Sequence, residues 1–365
     1  MPNDRLYGGA EADAFAGGDG SDRIYTGAGD DYADGGDGRD DLRGGDGSDT
    51  LEGGAGRDSL RGDDGSDTLS GGDDNDSVYG GTGDDVLSGD AGNDRLVGGE
   101  GADELRGGTG NDRLYVDGDD TVIEGGEGID RIDVQGTDGV SFGEGASIET
   151  AVGNVGDDSF DGSDLETRAT YYGRDGDDTI KGGDNRDNLR GDGGADTISG
   201  GAGADALYGG AGNDILSGDD GNDTLKGEAG ADQLRGGAGN DTLYADSDDT
   251  VIDGGTGSDR VYVTDDNDFN INLTSSNVEA VYAKGGDDTL DATGSSERVT
   301  IYGRDGDDAI TGGDNRDNLR GDAGNDTISG GGESDALYGG DGADKLDGGQ
   351  GNDTLRGDAG ADELR

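Results

Sequence analysis

A nine-residue period runs through almost the entire chain and limits what it can become. Residues 44–52 read GGDGSDTLE, 236–244 read GGAGNDTLY and 348–356 read GGQGNDTLR. The unit is G-G-x-G-x-D-x-U-x, with U apolar. It runs unbroken through residues 8–133, 173–262 and 303–365, as fourteen, ten and seven units. The eighth position is apolar throughout, from Phe15 and Ile24 through Leu51, Leu216 and Leu355 to Leu364. The sixth is Asp everywhere except at Thr121 and Thr250.

Nine residues carry no 3.6-residue period and are too few for a helical repeat. Positions one to six, such as Gly44 to Asp49, read as a turn. Glycine there permits positive φ and close approach of neighbouring backbones. Positions seven to nine, Thr50-Leu51-Glu52, read as a short strand with Leu51 inward and its neighbours outward. Two units make one flattened coil of turn, strand, turn and strand. Stacked coils then give two parallel sheets enclosing a thin apolar filling. This predicts an all-β fold, a β-solenoid. At ~4.8 Å per coil, thirty-one units amount to roughly 75 Å before the interruptions are added.

Composition shows what such a fold lacks. Of 365 residues, 85 are Gly and 88 are Asp or Glu against 26 Lys or Arg, a formal net charge of −62. Hydrophobic residues are only 27%. A chain of this kind stays disordered unless something outside the sequence supplies free energy, and a cation is the natural candidate. With no basic run, nucleic acid and anionic membrane are poor partners. Cys and His are absent, which removes disulfides, zinc sites and Ser-His-Asp triads.

In a stacked solenoid each turn lies over the turn two units away, so Asp49 is expected near Asp31 and Asp67. A ladder of carboxylates repels itself, and a divalent ion between turns reverses the sign. Calcium takes six to eight hard oxygens, from carboxylates and carbonyls. Magnesium demands octahedral geometry and keeps its water. Without His or Cys, transition metals are poorly served.

The expected ligands are therefore the in-phase aspartates. In the first block these are Asp13, Asp22, Asp31, Asp40, Asp49, Asp58, Asp67, Asp76, Asp85, Asp94, Asp103, Asp112 and Asp130, preceded by Asp4. In the second they are Asp178, Asp187, Asp196, Asp205, Asp214, Asp223, Asp232, Asp241 and Asp259. In the third they are Asp308, Asp317, Asp326, Asp335, Asp344, Asp353 and Asp362. Asp158 and Asp288 belong to lone units between blocks. One ion per pair of stacked turns gives up to about 25 Ca2+, nearly neutralising the chain. Weak or absent sites are expected at the Asp-less units, Val116–Glu124 and Ala245–Asp253, and where the third glycine is replaced by Glu11, Asp74 or Glu333.

Residues such as Gly44-Gly45-Asp46-Gly47-Ser48-Asp49-Thr50-Leu51-Glu52 resemble the nonapeptide of RTX proteins, the haemolysin-type calcium-binding repeats. The resemblance covers nearly the whole chain. It implies a right-handed parallel β-roll with calcium at the turns, and type I export from a Gram-negative bacterium. It further implies a segment disordered in low intracellular calcium that folds outside the cell. Such repeats accompany lipases, proteases, epimerases, toxins and adhesins, and do not say which.

Five segments follow: 1–133, a spacer at 134–172, 173–262, a second spacer at 263–302, and 303–365. The spacers correspond at an offset near 130 residues, as TYYGRDGDDTIKGGDNRDNLRGD at 170–192 and TIYGRDGDDAITGGDNRDNLRGD at 300–322 show. They are read as calcium-poor stretches of the same solenoid with an aliphatic core. The chain opens inside a unit, at Asn3-Asp4-Arg5-Leu6-Tyr7, which suggests an excerpt of a larger secreted protein.

The favoured role is a calcium-stiffened stalk or folding aid, monomeric and without catalysis of its own. An adhesive or polysaccharide-binding surface is the alternative, with the position-nine residues Arg43, Arg61, Tyr79, Arg106 and Tyr115 as its contacts. A catalytic module outside this stretch is the remote one.

Overall fold

A computed structural model describes residues 3–365, and every regular element among them is a β-strand. No described segment forms a helix able to cross a membrane. The chain divides into two compact units, one ending at Asp184 and the other running from Asn185 to Arg365. The division falls inside the second uninterrupted block and at neither spacer.

In the first unit, one sheet holds Arg5–Tyr7, Arg23–Ala28 and Asp41–Asp46, and continues through Arg131–Val134 to Thr150–Val152 and Thr170–Asp175. The other holds Ala14–Gly20, Tyr32–Gly38 and Thr50–Ala55 and continues to Val122–Glu127. All pairings are parallel, and residues pair with those eighteen positions on: Leu42 with Leu60, Leu51 with Leu69. One coil is thus two units. The second unit repeats the plan, with Leu207 opposite Leu225 in one sheet and Leu216 opposite Leu234 in the other.

Many strands are longer than the three residues expected, while others, such as Thr179–Lys181, Thr197–Ser199 and Ala309–Thr311, keep that length. Thr50–Ala55 takes in positions one to three of the next unit, and alternation buries Leu51 and Gly53 while Glu52 faces out. Where the strand extends in this way, the first glycine of the unit belongs to it and faces inward, and the turn contracts to positions four to six. The core is one apolar residue per strand: Leu42, Leu51, Leu60, Leu87 and Leu96 are fully buried.

Through the spacers one sheet in each unit continues unbroken while the coil lengthens. Arg131 pairs with Thr150 and Thr150 with Thr170. In the second unit Arg260 pairs with Ala280 and Ala280 with Thr300. The opposite sheet restarts, at Ser141–Phe142 and at Asn270–Asn272. The first spacer's core is aromatic where an aliphatic one was expected. Phe142 stacks on Phe160 at 5.1 Å, and both meet Tyr171 edge-on at 5.7 and 5.8 Å. The second spacer is mainly aliphatic, with Ile271, Leu273, Val281 and Leu290 buried.

Candidate metal centre

The sixth-position aspartates stand in columns, one above the next. Each backbone N–H donates to the carboxylate Oδ1 of the aspartate eighteen residues on. Asp31 donates to Asp49 at 2.9 Å, Asp49 to Asp67 at 2.7 Å and Asp67 to Asp85 at 2.8 Å. The parallel column runs through Asp22, Asp40, Asp58, Asp76, Asp94, Asp112 and Asp130 at 2.7–2.8 Å. In the second unit Asp187 leads to Asp205, Asp223, Asp241 and Asp259, and Asp196 to Asp214 and Asp232. From Asp288, inside the second spacer, the column leads to Asp308, Asp326, Asp344 and Asp362, and beyond the spacer Asp317 leads to Asp335 and Asp353. In the first spacer Asp158 donates to Asp178 at 2.7 Å.

This bond uses one carboxylate oxygen. The other, Oδ2, is buried without a hydrogen-bond partner at Asp22 through Asp112, at Asp130, at Asp205 through Asp241, and at Asp259, Asp288, Asp308, Asp326, Asp335 and Asp344. A buried, unpartnered carboxylate oxygen is strongly unfavourable, and a regular file of them requires a common cause. Except at Asp31 and Asp288, whose units open on Thr26 and Ala283, each lies against the first glycine of its own unit. A Cβ on Gly71 would meet Asp76 Oδ2 at 2.6 Å and the carbonyl of Gly89, one coil on, at 2.8 Å. The missing side chain leaves a carboxylate oxygen and a carbonyl oxygen facing one hollow. That is the hard-oxygen donor set that suits calcium.

Burial pushes the metal-free carboxyls upward, opposed by the N–H bond and reinforced by the neighbouring aspartates. Asp58 and Asp67 rise to about 6, and Asp76, Asp85 and Asp94 to about 7. Asp214 and Asp308 also rise to about 7. Among the described residues no three acidic side chains gather as a conventional metal cage. Each turn supplies one carboxylate, and carbonyls must provide the rest.

Several predicted ligands depart from the pattern. Asp13, Asp158 and Asp317 use Oδ2 as well, accepting from Gly9, Asn154 and Gly313. Asp4, Asp13, Asp353 and Asp362 are only half-buried, each lacking a coil on one side. Thr26 occupies the first-glycine place beneath Asp31, and its hydroxyl donates to Gly44 O at 2.9 Å, filling the hollow that glycine leaves open elsewhere.

Four acidic residues outside the expected set join the columns. Asp103 donates to Asp120 and Asp232 to Asp249, both one residue ahead of the Thr at position six. Burial lifts Asp120 and Asp249 to about 7. Asp130 and Asp259 donate to Glu149 and Glu279, each at 2.7 Å. The sequence signals were DGDDT and DSDDT, and Glu two places before the buried Ala151 and Val281. Elsewhere in the spacers the sixth place is apolar: Val140, Ala169, Phe269 and Val299 are buried there. Val140, Phe269 and Val299 still donate their N–H groups to Asp158, Asp288 and Asp317. At these three places the spacers keep the backbone bond and lose the carboxylate.

Parallel coils lined by buried carboxylates define a calcium-binding β-solenoid. A family model described as the RTX calcium-binding nonapeptide repeat, in sets of four copies, matches fourteen times, together covering residues 3–132, 172–252 and 282–364. The chain belongs to the RTX calcium-binding repeat family. The curated proteins contain no significant match.

Proposed function

We propose that the sixth-position aspartates bind calcium between stacked turns, and that this binding folds the chain. The observation that carries the reading is the file of buried Oδ2 atoms without partners, many of them sharing a hollow with a backbone carbonyl of the next coil, as Asp76 does with Gly89. Metal-free, the folded coil forces anionic oxygens into a low-dielectric hollow. Calcium turns that repulsion into coordination and nearly cancels the net charge. Because ligands come from successive coils, binding free energy is folding free energy.

The protein then serves as a structural element, a stalk or folding aid, disordered where calcium is scarce and rigid where it is abundant. Family membership favours a secreted, type I-exported parent. Full strength is expected at columns such as Asp49–Asp67–Asp85, and weak binding at Asp13, Asp31, Asp158 and Asp317. The five segments named from sequence act as three calcium-rich blocks separated by two apolar-turned spacers.

The test is a calcium titration followed by far-ultraviolet circular dichroism, with magnesium as control. A cooperative coil-to-β transition in calcium and little change in magnesium supports the reading. A chain already β-rich in chelator overturns it.

A further inference from the structure

Position-nine residues that look equivalent in sequence divide between the two sheets of the first unit. Arg43, Arg61, Tyr79 and Tyr115 share one outward face. Arg106 lies on the opposite sheet, in register with Ser88 and Glu124, where Asp34 and Glu52 also stand. The first face gains further cations from position seven, including Arg23, Arg95 and Arg113. A protein of net charge −62 thus carries one strip where cations predominate.

The strip is built as an alternation of cations and rings. The Arg95 guanidinium lies 5.0 Å from the Tyr79 ring and 4.3 Å from that of Tyr115. Arg61 covers the other side of Tyr79 at 5.2 Å, and Arg113 lies over Tyr115 at 4.9 Å. Such stacking holds guanidinium groups in fixed positions. Arg23, Arg43 and Arg113 pair with Asp41, Asp63 and Asp133. Arg61 and Arg95 form no ion pair among the described residues, and Arg95 Nη1 is buried without a hydrogen-bond partner. Beside them opens a groove of about 740 Å³ in which Arg5, Arg23, Arg39, Arg43 and Arg61 stand together with four aspartates, Asp41 and the turn residues Asp4, Asp22 and Asp40.

From this arrangement we infer that the arginine–tyrosine face of the first unit binds an extended acidic polysaccharide. Planar guanidinium groups match carboxylates in bidentate fashion. The rungs recur at ~4.8 Å, on the scale of successive sugars in an extended chain. The ring faces of Tyr79 and Tyr115 are covered by guanidinium groups, which closes the base-stacking route of single-stranded nucleic acids. Acidic turns flank the strip, so a thin single chain fits where a wide duplex would meet repulsion. The inference rests on the calcium-folded roll, because only the folded sheets separate the two faces.

The test uses the full chain in calcium, with circular dichroism first establishing the β fold. Binding of fluorescein-labelled hyaluronate is then measured against neutral dextran and oligo-deoxythymidine. The expected result is binding of hyaluronate that weakens as salt rises, and no binding of dextran. Combined Arg43→Ser, Arg61→Ser and Arg95→Ser changes weaken it at least about tenfold, Arg→Lys at the same places restores part of it, and Arg106→Ser leaves it unchanged. A folded protein that ignores hyaluronate, prefers oligo-deoxythymidine, or loses as much with Arg106→Ser overturns the inference while leaving the calcium reading intact. A chain that stays unfolded in calcium sinks the calcium reading and this face with it.

Discussion

Asp103 donates its backbone N–H to Oδ1 of Asp120 at 3.2 Å, although Asp120 stands one residue before the place the repeat reserves for its ligand. Thr121, at the reserved place, turns its hydroxyl back to the Asp103 carbonyl. The column is therefore continued by a neighbour. Asp120→Ala should leave the Asp103 N–H unpaired and destabilise the coil by roughly 1–3 kcal/mol. The calcium midpoint of folding should rise, while Asp119→Ala, at an exposed position, leaves it unchanged.

Asp76→Asn separates hydrogen bonding from charge. The amide retains the Oδ1 acceptor used by Asp58 and presents N–H groups near the Gly89 carbonyl. In chelator the variant should hold more β structure than the parent, and in calcium it should be less stable. Parallel melts in the two conditions read the sign directly. Destabilisation of equal size in both would mean that the charge has no role.

The pH response follows from the raised carboxyls. Asp76, Asp85 and Asp94 titrate near 7 in the metal-free fold, against about 3.9 in an unfolded chain. A group raised on folding stabilises fully below its unfolded value and loses that contribution as pH rises through its folded value. Lowering pH from about 8 toward 5 in chelator should therefore increase β content. In calcium the same change should weaken binding, since protons compete for the ligands. A calcium-free signal flat across this range would show that the carboxylates are not buried as described.

Turn conformation predicts a matched pair of variants. Gly47 sits at φ 129° with Gly29 O where a Cβ would go. Gly47→Ala should destabilise by about 1–3 kcal/mol. Asp74, at the corresponding place eleven residues before Asp85, already bears φ 75° and adds to the repulsion at Asp58 and Asp76. Asp74→Gly should lower the calcium midpoint. The two shifts must have opposite signs.

The first spacer depends on its aromatic trio. Phe160 is fully buried, and Phe160→Ala should remove about 3–5 kcal/mol. Energy in a solenoid is exchanged between neighbouring coils, so the loss should appear as local protease cleavage within 134–172 before global unfolding. Tyr171→Phe strips the 2.6 Å hydrogen bond to Ile148 O and should produce the same cleavage more mildly.

Much of this was legible in sequence, because the period fixes pairing. Once Leu51 is inward and two units form a coil, Leu69 must lie beside it. What the period concealed depends on departures from it. Position one looked like turn because it is glycine, yet Gly53 is buried strand, since pairing carries on past Glu52. Asp120 and Asp249 escaped notice because a frame-based reading asks only what stands at position six. Glu149 and Glu279 lay in stretches where coils of nineteen and twenty residues break the frame. Arg106 was grouped with Arg43 because the nine-residue frame does not distinguish odd units from even ones.

That last point has a consequence for how such a chain can change length. Register returns every eighteen residues, so gain or loss of one whole coil leaves every downstream side chain on its original side. Gain or loss of nine residues preserves the consensus equally well, but turns everything beyond it over, exchanging the arginine–tyrosine side with the acidic side. Parity of the unit count is therefore heritable information that no single unit contains, and two arrays with identical units can present opposite surfaces.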